Sequence, residues 1–123
     1  MTVLKALAIL EAAVLECKKR DIDAPEVHEA LAFFEPHIQP EWLIRRFRHE
    51  LEAQPDNAVD REAQQQVLRA TFPGIRESVR DLLGKQMDAL AREFAATHDM
   101  KVKEEIERMA KEYDKLKEPW RFA

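Results

Sequence analysis

Glycine, serine and cysteine are scarce in this chain of 123 residues. The only glycines are Gly74 and Gly84. All-β folds turn often and need glycine at many of those turns, so helices are favoured. Ser78 is the single serine, and no Gly-x-Ser-x-Gly elbow or glycine-rich phosphate loop occurs. Cys17 is the single cysteine, which excludes an internal disulfide and gives no pointer to an oxidising compartment. Its place on an apolar helical stripe suits a small buried hydrophobe better than a nucleophile.

Long apolar runs are also missing. The run from Met1 to Leu10 is interrupted by Glu11 and followed by no small-residue cleavage site, so no signal peptide is expected. It falls far short of the roughly 20 apolar residues of a membrane span. The expected location is the cytoplasm. With 24 acidic and 20 basic residues the net charge is −4, so the chain as a whole has no attraction for nucleic acid or anionic membrane.

Metal-binding patterns are absent too. The residues three before His28, His37, His49 and His98 are Pro25, Phe34, Arg46 and Ala95, none of them a carboxylate. The Glu-x-x-His pairs of di-iron bundles are therefore missing, and no two histidines stand at i, i+4. His49 with Glu52 reads as a solvated helix surface. No metal, cofactor or catalytic residue is assigned.

What remains is helical periodicity. A first helix is expected over residues 3–20, where Val3, Leu7, Leu10, Val14 and Cys17 recur at spacings of four and three. A second begins at a capping box of Asp23 and Glu26, with Ile22 and Val27 as a hydrophobic staple, and ends at Pro36. A third starts with Pro40 at its first position, Ile38 and Leu43 stapling the entry, and runs to about Ala53. A fourth, over residues 58–72, is capped by Asn57 or Asp56 and carries a weak stripe of Val59, Ala63, Val67 and Ala70. A fifth starts near Pro73-Gly74 with Ile75, Val79, Leu83, Met87, Leu90 and Phe94 facing inward. Gly84 within it suggests a close helix crossing. The last, over residues 100–117, keeps heptad spacing through Val102, Ile106, Met109, Tyr113 and Leu116, with Glu104–Arg108 and Glu107–Lys111 as ion pairs. Residues 97–100 read either as a break capped by Asp99 or as a kink in one long helix, with the break preferred.

The expected fold is all-α, a single domain of five or six mostly antiparallel helices over residues 1–118, followed by a short aromatic tail at 119–123. Three features bear on function. Glu11 falls inside an apolar face, read as a marginal position paired with Lys18 or another cation rather than as a functional carboxylate. Trp120 and Phe122 either fold back as a lid or anchor in another chain. The first helix is apolar over a wide arc and the last two keep near-heptad stripes, together more apolar face than a small monomer needs. Val3, Leu7, Leu10 and Val14, with Trp120 and Phe122, are therefore the candidate interaction residues of a non-catalytic, self-associating module with a homodimeric or helical partner. The alternative is nucleic-acid binding through a helix-turn-helix-like unit at residues 24–52, with Arg45, Arg48 and His49 as contacts. Glu41, Glu50 and Glu52 weigh against it by cancelling the charge of that helix.

Overall fold

The computed structural model describes residues 1–16, 25–53 and 55–122. They form five helices and, among the described residues, no strand: α1 (Val3–Glu16), α2 (Pro25–Phe34), α3 (Glu41–Glu52), α4 (Ala58–Thr97) and α5 (Met100–Lys117). The all-α class is as expected. Cys17, Lys18, Ile22 and Asp23, on which a stripe position, an ion pair, a staple and a cap were placed, lie outside the described residues.

The expected boundary at Pro73 does not exist. One helix of 40 residues runs through it, so the fourth and fifth segments are a single element. Proline lacks the N–H that would bond the carbonyl of Arg69, at a cost of about 3 kcal/mol in a helix interior. Packing outweighs that cost. Leu68, Phe72, Ile75 and Val79 have no exposed surface, so the helix is gripped on both sides of the proline. The weak stripe expected before Pro73 is also the wrong face. Val59 is 78% exposed and Ala63 and Ala70 are exposed, while the buried side carries Gln64, Gln65, Leu68, Thr71 and Phe72.

Those buried polar residues explain the reversal. The Gln64 amide donates to the carbonyls of Glu50 (2.7 Å) and Ala53 (2.8 Å), at the C-terminal end of α3. The adjacent Gln65 amide donates to the carbonyls of Val14 (3.3 Å) and Leu15 (3.4 Å), at the end of α1. Arg76 reaches the carbonyls of Glu118 (3.1 Å) and Lys115 (3.4 Å), at the end of α5. The last carbonyls of a helix have no partner within it, and these side chains of α4 supply one for three helices. Ser78 accepts a bond from the backbone N–H of Gln39 (3.0 Å) and so ties the connection between α2 and α3 to α4.

The local signals behave as expected at several ends. Asn57 caps α4 by accepting from the Asp60 N–H at 2.8 Å. His98 turns left-handed with φ 53° and ends α4, and Asp99 accepts from the Lys101 N–H at 3.0 Å to start α5, so the chain breaks at 98–99. Pro40 is the N-cap of α3 rather than its first helical residue, because its ψ of 151° is extended. On α5 the expected i,i+4 pairs are replaced by i,i+3 pairs: Arg108 with Glu105, Lys115 with Glu112 and Lys117 with Asp114. Both spacings put the partners on one face of a helix.

α4 is about 60 Å long at 1.5 Å per residue, longer than a compact domain of this size is wide. Its buried residues end at Leu83. α1 packs on α2 and α4, and α3 packs mainly on α4, so these elements make a head around residues 58–83 of α4. Beyond Leu83, α4 runs on with α5 folded back along it. Gly84 lies beside Tyr113, and the tail returns to the head where Trp120 meets Phe72.

The two glycines differ in what surrounds them. A Cβ at Gly74 meets both methyls of Leu43 at 3.1 Å, so α3 and α4 approach closely there. At Gly84 the nearest neighbour is the Tyr113 ring at 3.5 Å, an ordinary contact, and the close crossing expected at Gly84 occurs at Gly74 instead. Gly84→Ala is expected to stabilise by about 0.5–1 kcal/mol through helix propensity, whereas Gly74→Ala destabilises by about 1 kcal/mol through overpacking. Urea unfolding of both variants checks the opposite signs. In the same assay Gln64→Ala, which orphans two carbonyls, is expected to cost about 1–3 kcal/mol, and exposed Gln66→Ala within about 0.5 kcal/mol of zero.

Candidate functional site

The residues expected to mediate association are distributed very differently from the expectation. Val3 and Leu7 are 5% and 6% exposed, and Leu10 and Val14 have no exposed surface. The wide apolar arc of α1 is consumed by the chain's own core, against α2 and α4. That arc serves as core because α4 brings a long apolar face to it. Glu11 lies half-buried at the margin of this face.

The tail closes inward. Trp120 is 8% exposed and its ring stands 4.8 Å from that of Phe72, with Phe122 edge-on to Trp120 at 5.9 Å. The indole N–H of Trp120 is buried without a hydrogen-bond partner. Burial of the ring therefore stabilises the lid against the cost of one unsatisfied donor. Trp120→Ala is expected to cost about 3 kcal/mol, and Trp120→Phe distinctly less, because it keeps an aromatic ring against Phe72. Thermal denaturation distinguishes the two, and equal losses would show that a ring at position 120 adds nothing to the packing on Phe72.

Arg45, Arg48 and His49 do not present free charge together. Arg45 pairs with Glu41 at 2.9 Å, and Arg48 pairs with Glu35 at 3.1 Å across to the end of α2. Arg46 approaches Glu50 at 4.0 Å, and His49 is exposed. Contacts to phosphates need cations that a neighbouring carboxylate has not already answered.

Among the described residues, surface depressions include three further places. A cleft of about 270 Å³ beside the α2–α3 connection is bordered by His37, Asp81 and Lys85, with Ser78 already engaged by Gln39. A shallow patch on the first turns of α4 carries Val59, Ala58 and Ala63. The third is a groove of about 510 Å³ between the far end of α4 and the start of α5, lined on one side by Ala89, Leu90 and Glu93 and on the other by Lys101, Val102 and Met109. Among the described residues no three His, Cys, Asp or Glu side chains converge to hold a metal ion. Among them, too, no helix is long and apolar enough to cross a membrane.

The groove follows from the hairpin that contains it. Among the described residues α5 packs on α4 alone, and Met109 is its one buried residue. The heptad residues Val102, Ile106, Tyr113 and Leu116, and Met87, Leu90 and Phe94 opposite them, stay half-buried. Two helices cover only one side of each other's seam. The sequence shows surplus apolar face both on α1 and on this stripe, but the interaction residues expected from it, Val3, Leu7, Leu10 and Val14 with Trp120 and Phe122, lie on α1 and the tail. The signal that separates the two is length: an α4 that continues past Pro73 outruns the head and leaves its far end with one neighbour.

The chain was compared with models of known protein families, with curated proteins and with solved structures. It matches none of them.

Proposed function

We propose that the protein is a non-catalytic helical interaction module and that its working surface is the groove on the α4–α5 hairpin. The observation that carries this reading is the single buried residue of α5, on an amphipathic helix whose apolar seam has heptad spacing. Such a seam reaches core-like burial when further helices close over it. The groove presents Leu90, Val102 and Met109 in its floor with charged residues at its rim, the arrangement of helix-in-groove recognition.

The alternative, nucleic-acid binding through residues 24–52, has less support, since Arg45 and Arg48 are each answered by a carboxylate.

Ala89 is exposed and lies in the groove wall, so Ala89→Arg obstructs the groove without entering the core. The expected outcome is an unchanged helical circular-dichroism spectrum together with at least tenfold weaker association, a loss of about 1.4 kcal/mol or more. Binding measured for wild type and variant side by side, with partners recovered from the native host and with the protein itself, provides the test. Association of equal strength in both proteins sinks the assignment of this groove.

A further inference from the structure

Resting on that reading of the groove, we infer that its occupant is the same hairpin of a second copy of this chain, with α4 of each copy laid over α5 of the other to close a four-helix bundle. The charge at the rim points there. Glu105 on the α5 side is already held by Arg108. Among the described residues the Glu93 and Lys101 side chains have no ionic partner, and they stand on opposite walls, an anion on α4 and a cation on α5. A strongly acidic or basic partner would satisfy one wall and oppose the other. A second copy related by a two-fold axis along the hairpin satisfies both, because each Glu93 wall then faces a Lys101 wall.

The register allows this pairing. Gly84 lies beside Tyr113 and the helices meet at residues 98–99, so Glu93 stands level with Glu104, about one turn of helix from Lys101. With the copies side by side in this way, Glu93 of one reaches Lys101 of the other, twice per dimer. All four neighbouring helix pairs are antiparallel, as in bundles with short connections. Size agrees as well. From Gly84 to Thr97 the hairpin offers a face about 21 Å long and about 20 Å across, which on association buries on the order of 1,000 Å² in total, the lower end of specific interfaces. The pairing sets the heads at the same end of the bundle.

The test is molar mass by light scattering over a concentration series, on the full chain and on Glu93→Lys, Lys101→Glu and the double reversal. Both positions are exposed, so the fold of each variant is secure, and circular dichroism checks it. The expected result is twice the 14.4 kDa chain mass for wild type. Each single reversal is expected to weaken association about tenfold, and the double reversal to restore it. A mass of one chain at every concentration overturns the second-copy inference. In that case the interaction reading still stands if binding of a host partner depends on Ala89, and falls with it if binding does not. A dimer indifferent to both reversals, or one that the double reversal fails to restore, overturns the paired-wall geometry.

Discussion

The C-terminal ends of three helices are completed by side chains of a fourth. Gln65 serves α1, Gln64 serves α3 and Arg76 serves α5, all from within four turns of α4. A helix end buried without partners for its carbonyls is costly, so the position of each helix along α4 is specified by where these donors stand. The apolar core alone is less selective, since leucine, valine and phenylalanine faces tolerate sliding by a turn. Gln64 and Gln65 are adjacent and so point about 100° apart around the axis, which sends one toward α3 and the other toward α1. Ser78, about two turns beyond Thr71 and Phe72 at the centre of the core, adds the α2–α3 connection to the same helix.

α4 must therefore be continuous. If the chain broke at Pro73, Gln64 and Gln65 would be uncoupled from Arg76 and Ser78, and the head would lose its common reference. Phe72 and Ile75, both without exposed surface, fix the backbone on either side of the proline, and Thr71 shares its hydroxyl between the carbonyls of Val67 and Leu68 one turn back. The same continuity has a consequence at the far end. A helix long enough to pass through the head and out of it carries its apolar seam beyond the reach of α1, α2 and α3, and among the described residues only α5 follows it there.

Much of the fold was legible wherever a local rule decides. The start of α4 at Asn57, the break before Asp99 and the heptad seam of α5 all follow from neighbouring residues, and all are present. Pro73 was misread because the usual rule, that proline ends a helix, is a statement about a helix without tertiary support. The Gln64-Gln65-Gln66 run was passed over because glutamine carries no periodic signal. Its role depends on carbonyls more than ten residues away in the chain. The wide arc of α1 suggested a partner for the same reason: its true partner, the buried face of α4, was masked in the sequence by glutamine and threonine. For the candidate site, the stripes at Leu90 and Val102 could be read, but not that they alone would remain half-covered.

Charge separates the surfaces that remain. On α3 the arginines are spaced one turn from glutamates of the same helix or face Glu35 across a short gap, so their fields close locally and add about 0–1 kcal/mol each to the fold. At the hairpin the arrangement differs. Arg108 holds Glu105, while Glu93 and Lys101 stand on facing walls without ionic partners in the described chain. Free charge of both signs beside a half-buried apolar floor suits neither a polyanion nor a purely hydrophobic contact. It suits a surface that presents the same two walls in reverse order, and the hairpin itself is such a surface.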